Sequence, residues 1–249
     1  ARAKDQHLLK LFDELSDETR WDHPRRQWVD DFSRAGGAIQ QSREFGELVK
    51  DDPSRFIRIL PQLEPQRHES YVGKALEELA GTDYPINNLL HFVEQAAQRG
   101  LVSEHFRSDV ARALEKIAKR NHGLPRSSLL LLEGWLPDHS QPESEHDRSR
   151  ENQSSDLKSP IVFIVGSSHA LPGGRGNIVR AIAEGYLQQN PPDLKGWAKF
   201  IRSQLGLESH PAVWVDILSR MPPLLNGNRV QATELFDQVI RNCPEVFQY

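Results

Sequence analysis

Residues His68 to Arg120 decide the fold and read HESYVGKALEELAGTDYPINNLLHFVEQAAQRGLVSEHFRSDVARALEKIAKR. Three apolar stripes follow one another in this stretch, each at the three- and four-residue spacing of one helix face. Gly81 and Gly100 are typical of helix ends, and Ser103 is a typical N-cap. The stretch therefore predicts three consecutive helices joined by short connections. They span 68–80, 85–99 and 103–120, and the middle stripe consists of Ile86, Leu89, Leu90, Val93 and Ala97.

The same punctuation continues on both sides of this stretch. Asp52-Pro53 places an N-cap acceptor before a proline at the first helical position, and Pro61 is expected to end that helix. Further helices are predicted at 3–16, from 24 to the glycine pair 36–37, at 42–51 and 125–135, and after the caps Asn177, Asp193, Ser209 and Asn228. About ten short helices of this kind favour stacked pairs with a repeat of about 35–45 residues. The sequence therefore predicts an all-α fold, an irregular α-solenoid, with a compact helical bundle as the alternative.

A polar gap divides the predicted helices into two blocks. Residues 137–160 read PDHSQPESEHDRSRENQSSDLKSP, in which Leu157 is the one large aliphatic residue. Such a segment buries too little apolar surface to offset the entropy lost on ordering, so we expect a flexible linker. The predicted blocks are therefore 1–136 and 161–249. The second block opens with the strand-like run IVFIV at 161–165, for which we expect a short extended segment.

Composition and charge exclude several classes of protein. The 249 residues carry a net charge of −4, which does not favour a nucleic-acid partner. No apolar run reaches the roughly 20 residues that a membrane span needs, so we expect no membrane partner. Cys243 is the single cysteine, which rules out an internal disulfide and favours the cytoplasm. The chain begins ARAKDQ without an initiator methionine, and we expect it to be a piece of a longer protein.

The stretch from Ile161 to Asn177 is the most suggestive of chemistry. A strand, a glycine-rich loop and a helix start are the parts of a phosphate cradle, but Gly174-Arg175-Gly176 stands where a P-loop has its lysine. Ser168 in GSSHA loosely resembles a nucleophile elbow, but Leu171-Pro172-Gly173 breaks the helix that should follow. A small hydrolase or a nucleotide-binding enzyme built around residues 166–177 therefore remains an alternative to a structural loop.

The other candidate groups favour structural interpretations. His139 and His146 lie in the polar gap, where solvated histidines are commoner than metal ligands. His91 fits either the core or the rim of its helix. Arg25 and Arg26 between Trp21 and Trp28 could stack on nucleic acid, but a buried ring beside a solvated cation is the commoner outcome. Cys243 is expected to be a small buried residue. The sequence therefore predicts no catalytic residue, metal ligand or cofactor, and it assigns no binding residue.

Two stretches resemble the C-terminal helical region of large bacterial STAND signal-transduction NTPases of the NACHT type, which include antiphage defence members. Asp51-Asp52-Pro53-Ser54-Arg55-Phe56, then Leu60-Pro61, Tyr71-Val72 and Ala75-Leu76, is similar to the helix junctions of that family. Residues 177–184, NIVRAIAE, are similar to the opening of its HEAT-like repeats, and 210–214 and 226–236 are similar to later repeat positions. Ala181 and Trp214 depart from the family pattern, which usually has glycine and arginine there.

The resemblance implies a HEAT-like recognition or sensor arm of a multidomain NTPase in antiviral defence. Such an arm would bind a protein trigger or pack against its own ATPase module, for which this chain has no Walker motif. The chain alone is then not an enzyme, and a pure scaffold is a further alternative. Asn177 is expected to cap its helix. Arg180 is expected to bond carbonyls of a neighbouring helix, unless it grips an acidic ligand together with Arg175.

Overall fold

The computed structural model describes residues 4–20, 36–138, 174–244 and 246. Over these ranges the regular structure is helical and contains no β-strand, so the predicted all-α fold is confirmed. The helices are α1 (Asp5–Glu14), α2 (Ala38–Asp51), α3 (Pro53–Phe56), α4 (Glu69–Ala80), α5 (Ile86–Gln98), α6 (Glu104–Arg120), α7 (Arg126–Trp135), α8 (Arg175–Leu187), α9 (Leu194–Gln204), α10 (Pro211–Leu218), α11 (Pro222–Gly227) and α12 (Arg229–Asn242), with 3-10 turns at Asp17–Thr19 and Leu60–Gln62. None of these described helices is long and apolar enough to cross a membrane.

The chain divides into two units, Ala1–Ile117 and Ala118–Tyr249, and the division falls inside α6. The sequence placed the division at 137–160 instead. The difference arises because α7 packs on α8, so residues on both sides of the polar gap belong to the second unit. The Leu124 amide donates to the Gly185 carbonyl at 3.2 Å in this contact. Residues 139–160 of the predicted linker and the predicted extended segment 161–165 lie outside the described residues.

An aromatic cluster forms the centre of the first unit. Phe12 on α1 lies with its ring centroid 4.2 Å from that of Tyr71 and 4.9 Å from that of Phe45, and Phe45 contacts Phe56 edge-on at 5.4 Å. The Tyr71 hydroxyl donates to the Leu15 carbonyl at 2.8 Å, so its polar end is satisfied inside the core. These contacts hold α1, α2 and α3 on one face of α4.

Two carboxylates connect helix starts that are distant in sequence. Asp17 accepts from the amides of Glu69 at 2.6 Å and Ser70 at 3.2 Å. These amides at the start of α4 have no hydrogen-bond partner within the helix, and Asp17 satisfies them. Glu69 is itself buried and accepts from the amides of Val102 at 2.8 Å and Ser103 at 2.5 Å. The second carboxylate therefore ties the start of α4 to the start of α6.

The second unit is centred on two buried tryptophans. Trp197 on α9 donates its indole N–H to the Arg220 carbonyl at 3.3 Å, and Trp214 on α10 donates to the Glu208 carbonyl at 3.0 Å. Two caps predicted for this unit are confirmed. Asp193 accepts from the Gly196 amide at 2.8 Å, and Asn228 accepts from the Gln231 amide at 3.1 Å.

Other helix boundaries differ from the predictions. Helix α2 begins at Ala38 rather than Ser42, because the Thr19 hydroxyl accepts from the Ala38 amide at 2.8 Å. The cap of α10 is His210 rather than Ser209, since the Nδ1 atom of His210 accepts from the Ala212 amide at 3.2 Å. Pro61 lies within the second 3-10 turn instead of ending a longer helix. The predictions did not include α11, which opens on a proline pair.

Candidate functional site

An apolar groove lies along α4 and α5 in the first unit. Its volume is about 360 Å³, within the range of ligand pockets. Residues on one face of α4, one face of α5 and the second 3-10 turn line it: Leu60, Pro61, Val72, Leu76, Phe92, Gln95, Ala96, Gln98 and Arg99. Positions 92, 95 and 96 of α5 and its C-cap residue 99 recur at helical spacing, so this wall of the groove is about 10 Å long. The groove therefore matches about two helical turns of a bound segment.

Arg99 stands at one end of the groove with its guanidinium fixed by backbone carbonyls. Its Nη1 atom donates to the Leu60 carbonyl at 3.5 Å, and its Nη2 atom donates to the Leu63 carbonyl. Leu63 is fully buried, so the second bond is anchored in the core. Among the described residues no carboxylate forms an ion pair with Arg99. A guanidinium carries five N–H donors, so these two bonds leave others for a ligand.

A network of ion pairs crosses α2, α4 and α6 in the same unit. Its members are Lys50, Lys74, Glu77, Glu78, Asp109, Arg112 and Lys116. Lys50 and Lys74 reach the Glu78 carboxylate at 2.6 and 2.7 Å, which joins α2 to α4. Arg112 joins α6 to α4 through an Nε contact of 3.1 Å with Glu77, and it also pairs with Asp109. The cluster therefore stabilises helix crossings.

Two carboxyls of this network titrate in opposite directions. Burial disfavours ionisation of Glu77, but the charges and hydrogen bonds of Arg112 and Lys74 outweigh it and lower the pKa of Glu77 to about 2. Burial raises the pKa of Asp109 to about 7, more than Arg112 lowers it, and the negative charge of Glu77 acts in the same direction as burial. Glu77 is therefore ionised at neutral pH, whereas the pKa of Asp109 lies close to neutrality.

The predicted cap Asn177 lies inside α8 rather than before it. The N-cap is Gly174, whose φ of 56° lies in the left-handed region that favours glycine. Asn177 is buried, and its side-chain oxygen accepts from Arg180 one turn later. Arg180 was predicted to bond carbonyls of a neighbouring helix, and its contacts include Asn177 and the Asp216 carboxylate on α10 at 3.8 Å. The prediction of a cap was wrong because an asparagine in this sequence context also fits a buried polar contact.

Arg175 is held by a carboxylate of its own unit. Its Nε and Nη2 atoms donate to Glu208 at 2.8 and 2.9 Å, a bidentate geometry typical of strong arginine pairs. Glu208 is buried and also accepts from the His210 amide at 2.8 Å. A phosphate at this position would have to displace Glu208, so the geometry disfavours a phosphate cradle. Ser168 and Gly173 of the alternative enzyme interpretation lie outside the described residues.

The remaining candidates have mixed outcomes. His91 is exposed on α5, which places it at the rim. Cys243 is buried as expected. The predicted stacking residues Trp21, Arg25, Arg26 and Trp28 and the linker histidines His139 and His146 lie outside the described ranges. Within those ranges no group of three His, Cys, Asp or Glu side chains is arranged to hold a metal ion.

Comparisons of the chain with protein-family models, curated proteins and solved structures gave no match. The groove is the feature that the sequence predictions missed. The predicted inward stripe of α5 omits Phe92, although an aromatic residue beside that stripe was an available signal. The stripe alone did not identify the groove, because its second wall comes from α4 and its end from the 3-10 turn at Leu60–Gln62.

Proposed function

We propose that this chain is a helical protein-recognition segment and that the α4–α5 groove is its recognition site. The groove carries the proposal, because it combines an apolar floor with amide and guanidinium groups at its rim. Polar groups placed around an apolar floor are the usual composition of a specific binding site. Phe92 and Gln95 are accessible on the α5 side, so a partner can reach them without unfolding the unit.

The architecture supports a binding function in a second way. Successive helices in each unit pack against near neighbours, as α4 does on α5 and α8 does on α7, α9 and α10. Arrays of packed helices present surfaces made by several elements, and α-solenoids use such surfaces for proteins. The alternative of a nucleotide-handling enzyme gains no support from Arg175, whose guanidinium pairs with Glu208.

We further propose that the segment is a recognition or sensor arm of a multidomain bacterial signalling NTPase in antiviral defence. This finer proposal rests on the resemblance of the Asp52-Pro53 junction and of residues 177–184 to HEAT-like repeats of STAND proteins. The complete reading frame tests this proposal, because it must encode a Walker-type module. Removing residues 1–249 from the full-length protein must then change its nucleotide hydrolysis. A reading frame without a Walker-type module would overturn the proposal of an NTPase arm.

Site-specific photo-crosslinking tests the recognition function. The photoreactive residue p-benzoylphenylalanine replaces Gln95 in the groove or, as a matched control, exposed Thr233 on α12. We expect a protein to be crosslinked from position 95 and not from position 233. Once purified, that protein should bind the chain saturably. If the only protein that binds saturably is crosslinked from position 233, the groove is not the recognition site. If no purified protein from either position binds saturably, the recognition proposal fails.

A further inference from the structure

We infer that the α4–α5 groove takes an amphipathic helix of a protein partner, with a carboxylate of that helix paired to Arg99. This inference rests on the proposed recognition function and specifies the partner's chemistry. It follows from the secondary structure of the groove walls, from the length of the groove and from the state of Arg99.

The walls favour a helical occupant over an extended one. Both long walls are α-helices, whose backbone amides and carbonyls are already paired along the helix. An extended segment satisfies its own backbone by adding to a sheet edge, and these walls offer none. A helix satisfies its backbone internally and needs only apolar side chains at i, i+3 and i+7. Those positions span about 10 Å, which matches the length from Phe92 on α5 to Arg99 at the C-cap of this helix.

Arg99 selects the charge of the occupant. Its two carbonyl bonds hold the guanidinium in place, so little side-chain entropy remains to be lost when a ligand binds. Among the described residues, Arg112 and Arg175 have carboxylate partners, Glu77 and Glu208 respectively. Arg99 is held by carbonyls and has no carboxylate partner among the described residues. A carboxylate of the bound helix would therefore supply the negative charge that pairs with its guanidinium. The occupant is therefore an acidic amphipathic helix.

A selection experiment tests this inference on helices of defined pattern. A phage-displayed library of 14-residue helices, with leucine at i, i+3 and i+7 and random flanking positions, is selected on the whole chain. We expect clones with aspartate or glutamate enriched at one end and binding abolished by Phe92→Glu. The best clone is then synthesised with glutamate or with glutamine at that acidic position.

Three variants assign the charge effect to Arg99. Arg99→Gln should weaken binding of the glutamate peptide about five-fold, the size of effect expected for a partly exposed ion pair. Binding of the glutamine peptide should be unchanged. Gln95→Glu should also weaken binding of the glutamate peptide selectively while Arg99 is kept. Residue 95 lies one helical turn before Arg99, so its new carboxylate can pair with the guanidinium. Arg241→Gln, an exposed arginine on α12 in the other unit, is the charge-matched control and should affect neither peptide.

Arg99 also bonds the 3-10 turn, so thermal melts accompany every titration. Equal weakening of both peptides by Arg99→Gln would assign Arg99 a purely structural role and overturn the inference, as would selected clones without acidic enrichment. A different outcome separates this inference from the recognition function. If a crosslinked partner binds wild type, Phe92→Glu and Gln95→Glu equally, the chain recognises a protein at another surface, and the groove is not the site.

Discussion

Replacing Gly73 with alanine perturbs a close approach between α4 and α6. A Cβ atom at this position would lie 3.0 Å from the Asp109 Cβ atom and 3.1 Å from the Phe106 Cα atom. The second obstacle is backbone and cannot rotate away, so the two helices must separate by a few tenths of an ångström. The substitution therefore tests whether the glycine sets the distance between these helices.

Two opposing effects determine the magnitude. Alanine is favoured over glycine inside a helix by about 1 kcal/mol. An extra methyl group in a well-packed site typically costs about 1–3 kcal/mol, and the upper half of that range applies because the obstacle is backbone. The expected result is a net loss of about 1–2 kcal/mol in the free energy of unfolding. Gly134 on α7 is the matched control, since no atom lies within 4 Å of its added Cβ. Alanine there should stabilise by up to about 1 kcal/mol.

Urea unfolding followed by circular dichroism at 222 nm measures both variants. The midpoints should move in opposite directions while the denaturant slopes stay the same, because neither change alters the surface exposed on unfolding. If the Gly73 variant keeps or exceeds wild-type stability, the reasoning that α4 and α6 require this glycine is refuted.

Three further predictions concern buried polar groups. Asn177→Ala and Arg180→Ala should each lower the melting temperature, with Arg180→Ala costing about 2 kcal/mol because it leaves a buried carboxylate on α10 without one of its partners; unchanged melting of both would contradict the assignment. The pKa of Glu77 is lowered from 4.5 to about 2, so its contribution to stability is lost as pH falls through that window, and Glu77→Gln should flatten the acid limb of a pH–stability curve. The pKa of Asp109 is raised from 3.8 to about 7, so the unfolded chain loses this proton first and wild type loses stability as pH rises from about 4 to 7. Asp109→Asn should therefore be more stable than wild type at pH 8, with the difference shrinking towards pH 4; equal stability at pH 8 would contradict the raised pKa.

Local signals in the sequence were sufficient for much of the helical structure. Asp52, Asp193 and Asn228 each cap the helix that the sequence assigned to them, because an N-cap needs only its own side chain and an amide three residues later. Gly100 follows α5 with a φ of +89°, as a helix-ending glycine does. These interactions span a few residues, so a single sequence contains the information that predicts them.

Features that depend on distant residues could not be predicted in this way. The start of α2 depends on Thr19, 19 residues before the amide that it accepts from. The start of α4 depends on Asp17, more than 50 residues earlier. The groove likewise needs two helices and a 3-10 turn in a fixed arrangement, which no single apolar stripe specifies.

The environments of the arginines separate structural roles from the proposed recognition role. Arg112, Arg175 and Arg180 contact buried carboxylates, and removing any of them leaves a buried negative charge that the interior disfavours. Arg99 bonds neutral carbonyls at the groove end, so its removal leaves no buried charge behind. Its positive charge therefore contributes less to folding than theirs does and is available to an acidic partner. On this argument a change of charge at Arg99 alters binding more than stability, whereas at the other three the order is reversed.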